Sequence, residues 1–361
     1  MKLALPERRQ DFLGKRVLVT GHTGFKGSWL CEWLLSLGAK VCGLSLPPEQ
    51  KENLFDSLNL MHRIEQHEIC DIRDSQILRE AIESIAPELV FHLAAQALVP
   101  RSYRQPLLTW ETNVHGTLNL LEALRSLNKP LKVVVVTSDK VYRNREWEFS
   151  YRENDEIGGH DPYSASKAAC ELAVSSWRAS FGAPNGVAVV TARAGNVIGP
   201  GDNSADRLVP DCFRAWNQGK AVKLRNPHAT RPWQHVLEPL SGYLALASEL
   251  INNTQSNIQT CNFGPSIDGH KPVLSLVSSL ANGDPARPWT VMETEVQLHE
   301  TNRLTLNTER ARLLLNWNPR LSFSEAVTWT AEGYSVKTTD VDNIVRRQIK
   351  AYEKIGLELS S

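Results

Sequence analysis

A short apolar run, Arg16-Val-Leu-Val-Thr20, breaks straight into Gly21-His-Thr-Gly24-Phe-Lys-Gly27, and a helical pattern starts immediately behind it. A β-branched run ending in glycines reads as a buried parallel strand feeding a tight turn. Trp29, Leu30, Trp33, Leu34 and Leu37 recur at helical spacing, Gly38 supplies the stop, and residues 40–46 make a second strand. The result is a complete βαβ unit. Glycines allow the backbone to turn sharply and approach a pyrophosphate, while the helix N-terminus offers free N–H groups and partial positive charge. Gly21, Gly24 and Gly27 are therefore candidate dinucleotide contacts. Plain turn glycines are the competing reading, and the flanking strand and helix weigh against it.

The same texture continues downstream. Residues 88–94, 131–137 and 186–193 repeat the strand pattern, with a helical stretch at 112–127. This alternation predicts an α/β chain, a Rossmann-type doubly wound parallel sheet that binds ligands at the carboxyl ends of its strands. After about Asn196, Gly199-Pro-Gly-Asp202, Pro210, Pro227, Pro232 and Pro239 break the chain into short pieces. We therefore expect a dinucleotide-binding domain at 14–196, a smaller substrate-binding lobe mainly at 197–340 with later returns to the core, and a helix or tail at 341–361.

Composition excludes several classes of function. Forty Lys and Arg balance forty Asp and Glu, so no net field gathers polyanions, and nucleic acid is not an expected partner. The six cysteines have no short pair spacing, which argues against a metal or redox motif and fits a reduced cytoplasm. No apolar run approaches roughly 18 residues and the first residues are charged, so neither a membrane span nor a secretory leader is expected.

Two further segments carry chemistry. Asp161-Pro-Tyr163-Ser-Ala-Ser-Lys167 begins a helix at Pro162, and a spacing of four puts Tyr163 and Lys167 on one face. A phenol with a pKa of about 10 is a poor base at neutrality, but a neighbouring ammonium and an oxidised nicotinamide both favour the phenolate. Thr137-Ser138-Asp139-Lys140 ends another strand and brings a hydroxyl, a carboxyl and an amine to the same sheet edge, although a turn cap is the alternative there. An acid that binds the adenine ribose is usually found roughly 20 residues beyond the glycine turn. Gly43-Leu-Ser-Leu-Pro-Pro48 holds none, so NAD is expected with NADP left open. Asp71, followed by Ile72, could instead meet the adenine.

Thr20-Gly-His-Thr-Gly-Phe-Lys-Gly27, His92-Leu-Ala-Ala-Gln96, Thr137-Ser-Asp-Lys140 and Tyr163-x-x-x-Lys167 together resemble the extended short-chain dehydrogenase/reductase superfamily. More narrowly, Gly21-His-Thr-Gly-Phe-Lys-Gly-Ser-Trp29, Trp110-Glu-Thr-Asn113, Tyr151-Arg-Glu-Asn-Asp155 and Arg231-Pro-Trp-Gln-His235 are similar to the sugar-nucleotide 4,6-dehydratases that act on CDP-glucose. The resemblance implies an internal redox cycle on a glucose carried by a nucleoside diphosphate. It gives Tyr163, helped by Lys167 and Ser138, the 4-hydroxyl proton, and Asp139 the protonation of the departing 6-hydroxyl. Lys140 stands where related dehydratases carry a glutamate that removes the C5 proton; it either acts as that base or only stabilises the enolate.

The resemblance also places His22, Phe25, Lys26 and Ala94 at the cofactor. Two substrate phosphates call for guanidinium groups, for which Arg207 and Arg231 are the candidates. Arg193 and Asn196 match a stretch near the sugar, and Asn113 is expected to orient backbone or water. A homodimer or higher homo-oligomer is expected by analogy. The rivals are a 4-epimerase, which shares Tyr163 and Lys167 but has no water to expel, and a non-enzymatic dinucleotide sensor, which needs neither residue.

Overall fold

The computed structural model describes residues 8–292, 303–335 and 340–358; residues 1–7 and 359–361, over which the leader and tail expectations extend, lie outside them. Seven strands, β1 (Arg16–Thr20), β2 (Lys40–Ser45), β3 (Gln66–Ile69), β4 (Leu89–His92), β5 (Leu131–Val136), β6 (Val187–Ala194) and β7 (Thr260–Phe263), build one sheet in the order β7-β6-β5-β4-β1-β2-β3. Every pairing is parallel. Successive strands step one way from β1 to β3 and the other way from β4 to β7, so the sheet opens a crevice above β1 and β4.

The expected α/β class holds, and the strand sequences explain it. Leu131-Lys-Val-Val-Val-Val136 is continuous rather than alternating because helices cover both faces of the sheet. Helix α1 (Phe25–Ser36) lies on one face, while α2 (Ser75–Ile85), α3 (106–125) and α4 (Pro162–Trp177) lie on the other. Helix α3 runs through Pro106–Trp110, a π-turn at Glu111–His115, and Gly116–Arg125. It starts earlier than the sequence pattern suggests because Pro106 supplies a second helix start. Strand β3 is polar and only half-buried, as suits an edge, and β7 had no periodic signal over its four residues.

The later half divides its residues between core and lobe. Helix α5 (Leu208–Asn217) packs Val209, Phe213 and Trp216 against Trp233, Leu276 and Leu280 in a separate cluster. Helix α6 (Leu237–Asn252) and β7 return to the main core. Helices α7 (Val273–Ala281), α8 (Glu309–Leu315) and α9 (Phe323–Tyr334) follow, and α10 (Val341–Glu358) lies across α1. All six cysteines are free and buried, and among the described residues no helix is long and apolar enough to cross a membrane.

Helix α1 is buried nearly all round, with Trp29 and Trp33 fully enclosed. Its outer side is held by α10, where Glu353 Oε1 accepts from Trp33 Nε1 at 2.8 Å and Glu32 Oε1 accepts from Arg346 Nε at 3.0 Å. Glu238 on α6 ties the same helix down. Its Oε1 accepts the backbone N–H groups of Arg320 and Leu321 at 2.9 and 2.7 Å, and its Oε2 accepts the Tyr352 hydroxyl at 2.6 Å. Burial pushes this carboxyl up to about 7, against the pull of Tyr352, the two backbone donors and the Arg320 charge.

A carboxyl raised in the folded state opposes its own ionisation, so its contribution to stability is intact at low pH and is lost as pH rises from about 4.5 to about 7. A shift of this size corresponds to about 3 kcal/mol. We therefore predict that Glu238→Gln, which retains the acceptor for the backbone donors, becomes more stable relative to wild type as pH is raised from about 5 to about 8 in thermal melts. Parallel melting curves across that range would remove the role given to this carboxyl.

Candidate active site

The first glycine of the turn has no room for a side chain. Gly21 has φ +74°, and a Cβ on it would stand 2.8 Å from the Ala94 nitrogen. That approach is fixed by Thr20, whose hydroxyl accepts the N–H groups of Leu93 and Ala94 at 3.2 Å and lies 2.7 Å from His92 Nδ1. Gly27 sits as tightly, since a Cβ there would meet the Gly21 carbonyl oxygen at 2.1 Å. Gly24 caps α1 in an extended conformation with no side-chain bond to the first helical N–H groups. Those donors face the crevice, and this suits a dinucleotide pyrophosphate.

Around this turn lies a cleft of about 770 Å³ that gathers most of the residues singled out from the sequence. Gly21, Gly24, Phe25, Lys26 and Gly27 line one side, with Asp71, Ile72 and Ala94 next to them. Ser138, Asp139, Lys140, Tyr163 and Lys167 line the middle, and Asn196 and Arg207 the lobe side. Asp71 is engaged by Arg73, whose Nε donates to both carboxylate oxygens at 3.0 and 3.1 Å and whose bonds hold the carboxyl below its ordinary value.

Local chemistry places the reactive groups. Asp161 caps α4 by accepting from the Ser164 N–H at 3.0 Å, and Pro162 follows, so Tyr163 falls in the first turn and Lys167 one turn later. Burial pushes the Tyr163 phenol up to about 12, the neighbouring Ser138 hydroxyl and the Arg207 charge oppose this, and Asp139 adds to it. Burial also lowers Lys167, whose Nζ donates to the Val136 carbonyl at 3.2 Å. Lys26, with its amine near Tyr243 Oη at 3.4 Å, is pushed down to about 7 by burial and then by the charges of Arg207 and Lys167.

Ser138 takes the turn-cap geometry and also lines the cleft. Its hydroxyl accepts the Lys140 N–H at 3.2 Å and so caps the turn Asp139–Val141, and it donates to Asp139 Oδ1 at 3.0 Å. Burial raises Asp139 above the usual carboxylate range despite the opposing charges of Lys140 and Arg231. Burial of this kind favours the protonated acid over the carboxylate.

Four expected ligands do not line the cleft. His22 points beneath the turn, where Nε2 pairs with His67 Nδ1 at 2.7 Å and its ring lies over Gly43, too close to allow a Cβ there. Burial, and then His67, lower His22 to about 3. Asn113 is equally committed: Oδ1 accepts the Gln96 N–H at 2.8 Å, while Nδ2 donates to the Gln96 carbonyl at 3.1 Å and Ser166 Oγ at 2.9 Å. It orients backbone, as one sequence reading proposed, rather than touching the cleft. Arg193 is buried in an ion pair with Glu171 at 2.9 Å. Arg231 donates to its own neighbour's carbonyl, Thr230 O, at 3.0 Å, and acts on Asp139 through its charge.

The cleft also contains groups that sequence reading missed. Glu49, one residue past the stretch searched for an acid, lines it and pairs with Arg101. Asp202 is 3% exposed and accepts from Arg207 Nη1 at 2.9 Å, and its backbone carbonyl accepts the Tyr334 hydroxyl at 2.5 Å. The five-residue spacing of Asp202 and Arg207 was the available signal.

Comparison with known proteins agrees with this geometry. The family described as GDP-mannose 4,6 dehydratase matches residues 18–330. A CDP-glucose 4,6-dehydratase of Salmonella typhimurium is 43% identical over 94% of this chain and 96% of its own length. A dTDP-glucose 4,6-dehydratase of Escherichia coli is 24% identical over 91% of this chain and 95% of its own. Among solved structures, a Thermus thermophilus UDP-glucose 4-epimerase in complex with NAD superposes with a TM-score of 0.74 at 26% identity, covering 89% of this chain and 99% of that one. The matched span takes in the glycine turn, the Ser138–Lys140 segment, the Tyr163–Lys167 helix and the lobe, and on that breadth the chain belongs to the GDP-mannose 4,6-dehydratase family.

Proposed function

We propose that the chain is an NAD-dependent sugar-nucleotide 4,6-dehydratase, a hydro-lyase that converts CDP-glucose to CDP-4-keto-6-deoxyglucose and water. One observation carries the reading: the buried Asp139, whose carboxyl burial pushes up, and the adjacent Lys140 line the same cleft as Tyr163 and Lys167. Alcohol oxidation needs only the second pair. The first supplies an acid and an amine for expelling water, and a 4-epimerase has no use for these.

NAD, held by the glycine turn at Gly21, Gly24 and Gly27, would supply the hydride acceptor for C4 and the hydride donor for C6. The remaining steps belong to the protein. Tyr163 removes the 4-hydroxyl proton, the Ser138 hydroxyl and the Arg207 charge favouring the phenolate against burial, with Lys167 one turn along the same helix. The 4-keto group makes the C5 proton acidic, and Lys140 either removes it or steadies the enolate while another group does so. Asp139 gives its proton to the C6 oxygen as the C6–O bond breaks, and water leaves. A proton returned to C5 completes a product that differs from the substrate by one water.

Arg207, held by Asp202, is the phosphate-binding candidate inside the cleft, and Asn196, which lines the same cleft, is the candidate for the sugar. The product class suits deoxysugar supply for surface polysaccharides such as lipopolysaccharide O-antigen, in the cytoplasm. A homodimer fits the exposed apolar residues on two packed helices, Leu107 (76% exposed) and Trp110 (40%) on α3 and Leu172 (61%) on α4.

We predict that CDP-glucose and NAD give the alkali-induced absorbance of a 4-keto-6-deoxy sugar without net build-up of reduced cofactor. Unchanged substrate, or a CDP-galactose product, would sink the assignment. In Asp139→Asn, kcat should fall by about 10²- to 10⁴-fold while C4 oxidation persists, visible as reduced cofactor that is no longer recycled. Sedimentation should show the wild type as a dimer and Leu107→Glu/Leu172→Glu as a monomer; a wild-type monomer would refute the dimer.

A further inference from the structure

The helix that carries Tyr163 and the turn that carries Asp139 are joined by a long connection, so the chain alone does not set their register. We infer that the buried Glu171–Arg193 ion pair is the positioning device that holds the Ser138–Lys140 turn at both ends against helix α4. The inference rests on the dehydratase reading above and assigns the pair no contact with substrate.

Glu171 lies one helical turn beyond Lys167, on the face that already bears Tyr163, and both members of the pair have side chains 5% exposed. Its two oxygens are fully used. Oε1 accepts the Thr137 hydroxyl at 2.5 Å and Arg193 Nε at 3.0 Å; Oε2 accepts the Thr191 hydroxyl at 2.8 Å and Arg193 Nη2 at 2.9 Å. Thr137 immediately precedes Ser138, so this carboxylate fixes the front of the turn to α4.

Arg193 reaches the back of the turn. Its Nη1 donates to the Tyr142 hydroxyl at 2.8 Å and to the Glu153 carbonyl at 3.2 Å, and its guanidinium lies 5.0 Å from the centre of the Tyr142 ring. Tyr142 follows Lys140 by two residues, and its own hydroxyl donates to Asn262 Oδ1 at 2.7 Å, at the end of β7. The acid and amine are thereby suspended between two anchors on one ion pair. A buried pair contributes little net stability compared with apolar replacement, but its bidentate geometry fixes orientation. A displacement of about 1 Å at reacting groups can cost about 10²-fold in rate.

Thr137→Val and Tyr142→Phe test this, because each removes one anchoring hydroxyl and leaves the ion pair intact. Glu171→Gln would instead strip the counter-charge from a buried guanidinium. In the presence of CDP-glucose and NAD, well below the melting transition, each variant should keep a KM within about twofold of wild type and lose roughly 10- to 100-fold in kcat. In a single turnover, oxidation at C4 should outrun elimination, giving a transient of reduced cofactor larger and longer-lived than that of wild type. A merely structural role would produce no such transient. Wild-type kcat in both variants, or a loss confined to KM, overturns the clamp. Failure of the wild type itself to turn over would instead reject the dehydratase reading.

Discussion

Everything above the sheet is arranged around the missing side chain at Gly21. Its backbone must pass so close to Ala94 that even a methyl group would strike the amide, and the Thr20 hydroxyl holds the two loops at that distance. The approach occurs at the reversal of strand order, between β1 and β4, so it sets the width of the crevice there. Helix α1 then starts at a fixed place and angle, with uncapped N–H groups facing the cavity. That geometry suits an extended dinucleotide running past β4 toward Tyr163, which lines the same cleft.

Electrostatics at that end run against burial. A phenol, a carboxyl and two amines are all removed from water, and each is pushed toward its neutral form. In the proposed dehydration neutrality suits Asp139, because a leaving hydroxyl needs a proton. For Tyr163 it is an obstacle, offset by Ser138 and by the Arg207 charge. The same burial thus favours the acid and restrains the base, and the surrounding cations decide how far the base is restrained. Arg207 is well suited to this because it stays charged where a lysine would not, and Lys26 nearby illustrates the difference.

Much of this was legible from local pattern. The glycine turn, the helix start at Asp161-Pro162 and the strand-ending Ser138-Asp139-Lys140 each carry their meaning within a few residues, and the alternation of strand and helix gave the α/β class. Direction and partnership were less accessible. His22 sits inside the most informative motif yet turns under it, because the orientation of a turn side chain depends on backbone angles that residue type does not reveal. Arg193 has the right chemistry for phosphate, but Glu171 takes it first, and that partner lies on a helix brought alongside only by the sheet. The polar edge strand β3 and the π-turn in α3 escape periodicity because one is half-exposed and the other breaks the period.

The wrapping of α1 by α10 bears on modularity. The βαβ opening of the chain looks like a self-contained nucleotide-binding cassette, yet Trp33 and Glu32 on its helix find their partners in Glu353 and Arg346, over three hundred residues away. Cut out and grafted elsewhere, residues 14–196 would present an indole with nothing opposite it and a Glu32 carboxylate left with Arg63 alone. The opening βαβ unit is thus not a transplantable part, and recombination that exchanged it between relatives would have to carry the distal helix along with the opening strands.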